Sequence, residues 1–271
     1  MTQPKTQLLA VTPENHLDKT WRQVENFHFA TGLTLVSVVQ AEASRAAGSL
    51  PLAFWKKQDS FELVAVTGLE PNQSLMVANN GQWLAGYVPA VLRAHPFWLV
   101  RMPGQKHPAL CVDESTGLVE DAGKGQAFFD ESGKGITPAL KAMLQLLGQV
   151  EDSRVVTERA ARLLASAQVL VPFSFKTRPS GPAQDLSALG ELYMVDQARL
   201  NALDDESFTA LRQHDALALA YAQLTSVHHL DALIRLSDAL RKSGAAAQAA
   251  ADASANALGG VFTGDSVIRF S

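Results

Sequence analysis

The stretch GQWLAGYVPAVLRAHPFWLV, Gly81 to Val100, carries Trp83, Tyr87, Phe97 and Trp98, and so holds two of the four tryptophans of a chain that is only 7% aromatic. Rings of this size bury large apolar areas and dominate packing wherever they cluster. Asn79-Asn80-Gly81 is a turn signal, and Pro89 suits the first turn of a helix, where its missing N–H costs nothing. Pro96 disfavours helical geometry at His95, so the helix ends there and Phe97 to Val100 reads as a buried strand. A core-forming unit of turn, helix and strand is therefore expected, with Trp83, Tyr87 and Trp98 largely buried. A binding groove is the alternative. Arg93 falls on a different face from Ala90, Val91 and Ala94, which makes it the residue best placed to touch something outside the chain.

Upstream, Leu8 to Val11 reads as an edge strand and Phe27 to Val39 as a longer one bent at Gly32. Ala41 to Ala47 has room for one or two helical turns. Leu50 to Trp55 and Phe61 to Thr67 form a hairpin signature around a five-residue polar loop, Lys56 to Ser60. Leu75 to Val77 and Ala109 to Val112 are further short strands. Between Asp113 and Lys134 the composition turns to Gly, Asp, Glu, Ser and Lys, a long loop apart from Phe128-Phe129. Its Gly-Lys-Gly pairs lack the spacing of a phosphate-binding loop and read as turns.

Downstream the period changes. Thr137-Pro138 is a helix start, and Leu140, Met143, Leu144, Leu147 and Val150 follow a helical template that continues through Val155, Val156, Leu163 and Leu164. Val169 to Phe175 and Glu191 to Val195 return as short strands. Asp196 and the acids Asp204-Asp205-Glu206 are placed to cap helices. Asp215 to Leu240 reads as one more long amphipathic helix. The fold class is α+β: a strand-rich region 1–136 with a mainly antiparallel curled or sandwiched sheet, a helical region 137–244 packed on it as one domain, and an Ala-rich segment with a tail over 245–271.

Composition excludes several functions. A net charge of -4 gives no footprint for a nucleic-acid backbone, and the helices of 203–240 lack the basic residues of a DNA reader. Cys111 is the only cysteine, which rules out an intrachain disulfide and reads as a small buried hydrophobe. No run approaches the roughly 18 apolar residues of a membrane span, and the first residues lack a cleavable signal, so a cytoplasmic address is the default. Non-classical export or a C-terminal secretion signal stays compatible with this. The seven histidines show no triad or metal spacing, and the adjacent His228-His229 point about 100° apart on a helix. No metal and no cofactor is expected.

Several segments together resemble the bacterial SapC family, named from a surface-layer gene locus. They are Phe29 to Leu33 with Val38-Val39-Gln40-Ala41-Glu42, Gly68-Leu69, Leu75 to Val77, and Gly81 to Ala90 continuing through His95-Pro96-Phe97. Further on, Phe129-Asp130-Glu131, Thr137 to Leu140, Leu200 to Leu203 and Ala216 to Ala222 fall at the family's own positions. Gly86 stands where a charged residue is expected before Tyr87-Val88-Pro89. The resemblance implies participation in a surface layer, or an accessory role beside TonB-dependent receptors and substrate-modifying enzymes. It brings no catalytic residue set.

Two functions follow. The first is a soluble, non-enzymatic interaction or accessory protein with a protein partner, its contact centred on Trp83, Tyr87 and Arg93. The second is a small-ligand accessory or enzyme with a pocket between the sheet and the helical half, roofed by 113–134 and using Arg93, Asp113 and Asp130 as its convergent polar groups.

Overall fold

A computed structural model describes residues 8–102, 104, 107–121, 123–176, 183–184 and 186–243. The segment expected to be Ala-rich with a tail, 245–271, lies outside the described residues. The chain runs through β1 (Leu8–Ala10), α1 (Pro13–His16), β2 (Lys19–Trp21), a 3-10 turn at His28–Ala30, β3 (Leu35–Ser37) and α2 (Gln40–Ala47). The hairpin β4 (Leu52–Lys57) and β5 (Ser60–Val66) follows, then α3 (Ala90–Arg93), β6 (Phe97–Val100), β7 (Ala109–Asp113), β8 (Val119–Asp121) and β9 (Gln126–Ala127). The second half holds α4 (Pro138–Ser166), β10 (Leu170–Pro172), β11 (Phe175–Lys176), β12 (Ala183–Gln184) and β13 (Leu192–Val195). It closes with α5 (Gln197–Asn201), α6 (Asp205–Gln213), α7 (Ala216–Ser226), a 3-10 turn at Val227–His229 and helical residues 230–243.

The fold is α+β, and every strand pair described is antiparallel. Its main sheet has the order β10-β13-β4-β5-β3, so two strands from the helical half lie beside the hairpin. Leu52, Ala53 and Phe54 are all buried, as are Leu63 to Val66. Consecutive burial of this kind means that both faces of these strands are covered, which is why they read as continuous apolar runs rather than alternating ones.

The hairpin is tighter than its sequence suggests. Lys57 pairs with Ser60, leaving only Gln58 and Asp59 as the loop, and Gln58 takes a positive φ of 49°. Polar residues counted as loop extend the strands instead, because Lys57 pairs with Glu62 and covers the Trp55 ring.

Where the β4–β13 ladder stops after Tyr193 opposite Phe54, a side chain takes over. Fully buried Gln223 of α7 accepts a hydrogen bond from the Val195 N–H at 2.9 Å and donates one to the Leu52 carbonyl at 3.2 Å. Ser226 Oγ accepts from the Leu52 N–H at 2.9 Å. Buried backbone groups must find partners, and here a helix supplies them.

Three further expectations change. Phe27 to Val39 is not one strand: only Leu35–Ser37 pairs, while the Phe27 N–H is drawn to the Gly81 carbonyl and Phe27 packs against Phe29 and Trp83. Leu75 to Val77 forms only an isolated bridge, Val77 with Trp83. The 113–134 segment is not a plain loop, since β8 and β9 both pair with β2. Gly125 permits this approach, because a Cβ there would sit 2.5 Å from the Trp21 carbonyl oxygen.

α4 serves two cores. Thr137 Oγ1 caps it by accepting from the Leu140 N–H, and Leu140, Met143 and Leu147 pack with Trp21, Phe97, Val112 and Phe128. At about 1.5 Å per residue its far end reaches the larger core, where Ala160, Ala161 and Leu164 are buried. Val155 and Val156 are exposed, against the expected apolar stripe, because the buried face there passes through Thr157, whose Oγ1 accepts from the Gln40 N–H at 2.8 Å. The last long helix is likewise interrupted at Val227–His229.

Candidate functional site

Gly81 to Val100 wraps around a residue that lies outside it, Glu42. This carboxylate stands in the third position of α2, where it reaches back to the Val39 N–H at 3.4 Å as half of a capping box. Its other oxygen accepts from the Tyr87 hydroxyl at 2.7 Å and from the Ala90 N–H at 2.8 Å, which fixes the start of α3. Glu42 is buried, and a buried carboxylate persists only when donors surround it.

Tyr87 is half-buried between two guanidiniums, with Arg45 at 5.5 Å and Arg93 at 5.8 Å from its ring centroid. Burial, then the Glu42 carboxylate, pushes its phenol above the ordinary range. Its carbonyl accepts the Trp83 indole N–H at 2.8 Å. Trp83 is buried, so this ring is packing.

Arg93 donates through Nε to the Val88 carbonyl at 3.1 Å and through Nη2 to the Tyr87 hydroxyl at 3.3 Å, with Glu42 at 3.9 Å. Its side chain stays 42% exposed and forms part of the wall of a cleft of about 370 Å³. Val24, Phe27, Met143 and Leu146 supply apolar wall, and Gln23 is its other polar residue.

Asp113 and Asp130 line neither this cleft nor the other cavity described, near Ser37 and Arg154. Each opens an Asp-Glu-Ser tripeptide and does the same local work. Asp113 Oδ1 accepts from the Ser115 N–H at 3.0 Å and hydroxyl at 2.6 Å; Asp130 Oδ1 accepts from the Ser132 N–H at 3.0 Å and hydroxyl at 2.6 Å. Short acceptors that close turns in this way are held by the backbone beside them. The Ser132 hydroxyl is also the main reason that the Asp130 carboxyl lies below its ordinary range.

Trp98 departs from its expected burial and is 46% exposed. β6 forms one edge of the β1-β7-β6 sheet, and side chains alternate across a strand. Phe97 faces the Trp21 and Phe128 core, which turns Trp98 to the opposite face together with its register partner Cys111 and with Leu8 and Ala10. Three residues earlier, His95 stacks on Phe29 at 3.8 Å, and burial lowers its pKa against the pull of Asp113.

Sequence reading missed Glu42 as an organising residue. Its signal was present: a glutamate three residues after the last apolar residue of Val38-Val39, the reciprocal position of a helix cap. Among the described residues, no group of three or more His, Cys, Asp or Glu side chains could hold a metal ion, and no helix is long and apolar enough to cross a membrane.

These features define a helix-backed antiparallel α+β protein with a carboxylate-centred clasp, an open aromatic edge and a largely apolar cleft walled in part by Arg93. The SapC family model matches residues 11–233, and the chain belongs to the SapC family. No curated protein and no solved structure matches it.

Proposed function

We propose that this SapC-family chain is a non-enzymatic accessory protein that holds a protein partner, with Trp98 at the centre of the contact. The observation that carries the reading is the exposure of Trp98 on an edge strand, on a face it shares with Leu8, itself 38% exposed. Tryptophan is the residue type most enriched among those that dominate protein interfaces. An edge strand also offers backbone N–H and C=O groups to which a partner's strand can be added. The net charge of -4 favours such a contact over a polyanion. Association with a bacterial surface layer, or with TonB-dependent uptake and modification systems, belongs to the same reading and is supported by the family resemblance.

The test is affinity purification of the native complex with quantitative mass spectrometry, wild type against Trp98→Ser. A protein that co-purifies stoichiometrically with the wild type and is lost from the variant, at unchanged thermal stability, is the expected result. Equal recovery of every protein by both forms would refute the role of Trp98.

A further inference from the structure

The cleft beside Arg93 is a second site with different chemistry. Its lining contains one cation, Arg93, and no acid; apart from Gln23 the remaining residues are apolar. At about 370 Å³ it falls within the range of small-molecule pockets, near the lower end of about 300 to 1,000 Å³.

Arg93 is held before any ligand arrives. Val88 and Tyr87 fix its Nε and Nη2, and its guanidinium lies against the Tyr87 ring. A restrained side chain loses little rotamer freedom on binding, which favours affinity. These two hydrogen bonds use one Nε donor and one Nη2 donor of the five that a guanidinium carries. The planar fork matches a carboxylate in a bidentate manner.

The surrounding charge also selects an anion. Arg45 and Arg93 both lie against the Tyr87 ring, and Glu42, which accepts from the Tyr87 hydroxyl, stands near Arg93, so these two guanidiniums and one carboxylate leave one positive charge in excess. The apolar walls determine the rest of the ligand. Phe27 and Met143 face a body with no polar group of its own, because a buried polar atom there would lose its hydration without a replacement partner.

We propose that this cleft binds a small organic acid, its carboxylate paired with Arg93 and its aryl or alkyl body against Val24, Phe27 and Met143. The probe pair is 4-phenylbutyrate and the shape-matched neutral 4-phenylbutanamide, titrated into the full chain by calorimetry and by NMR chemical-shift mapping. Saturable binding of the acid is expected, with a preference of at least about ten-fold over the amide, the scale of one charge-assisted hydrogen-bonded pair. Arg93→Gln should remove the preference. Ala142→Phe places a ring in the cleft while leaving Arg93 unchanged and should abolish binding of both probes. Trp98→Ser should leave both affinities unchanged, which separates this site from the protein contact. Absence of acid binding at millimolar concentration, equal affinity for acid and amide, or binding unaffected by Ala142→Phe each overturns the proposal.

Discussion

Replacing Glu42 by alanine should cost more than any single polar change within Gly81 to Val100. The side chain is buried and accepts hydrogen bonds from the Tyr87 hydroxyl and the Ala90 N–H, with a longer one from the Val39 N–H. A hydrogen bond to a charged group contributes about 1.5 to 3 kcal/mol, and a buried donor left unpaired costs about 1 to 3 kcal/mol. Tyr87 can turn its hydroxyl towards solvent because it is only half-buried, so the dominant loss is at Ala90. We expect a loss of about 3 to 5 kcal/mol, comparable with breaking other buried polar networks. Chains of roughly 150 to 250 residues shift by about 2 to 4 °C per kcal/mol, so melting should fall by about 6 to 20 °C. Urea denaturation followed by circular dichroism measures the free energy directly. A double-mutant cycle with Tyr87→Phe should give a coupling of at least about 1 kcal/mol, since the two groups are in contact. A Glu42→Ala variant within about 1 kcal/mol of wild type would refute the clasp.

Gln223→Leu should destabilise by roughly 2 to 4 kcal/mol despite the apolar surroundings, because it strands the Val195 N–H and Leu52 carbonyl; hydrogen exchange at Val195 should accelerate with it. Glu151 is held at a pKa of about 2, from an ordinary 4.5, chiefly by its hydrogen bonds with Arg154. A depressed carboxylate pKa gives stability that is present above the unfolded value and lost as pH falls, so acid denaturation of Glu151→Gln should be flatter between about pH 4.5 and 2. Because Arg154 is well exposed, solvent screening keeps this contribution small. Cys111 is buried and burial raises its thiol pKa, so a disulfide-exchange reagent such as DTNB should label it only at the rate of unfolding. Rapid labelling of the native chain would contradict its burial.

Asp113 and Asp130 show that a residue type expected in a site also has local work. Carboxylates in a polar, glycine-rich stretch resemble site residues, and a serine two positions later uses each to close a turn. Trp98 departed from its expected burial. Aromatic clustering suggested burial for every ring, but strand alternation can bury only one of Phe97 and Trp98 on a given face, and which one depends on where α4 and β2 pack.

Local chemistry decided what the chain alone could reveal. The caps at Thr137, Asp196 and Asp204, the stop at Pro96, the hairpin and the long α4 all depend on residues a few positions apart, and each is present. Family membership was legible for the same reason, since motifs are short runs. Tertiary structure decided the partners: β13 between β10 and β4, β2 between β8 and β9, Glu42 beneath Tyr87, and Phe27 beside Arg93 in one cleft. Those contacts join residues far apart in sequence, and many pairings satisfy the same hydrophobic pattern until one arrangement buries the apolar surface and satisfies the backbone together. Gly81 to Val100 was recognisable from its own residues, but its anchor was a carboxylate from another helix.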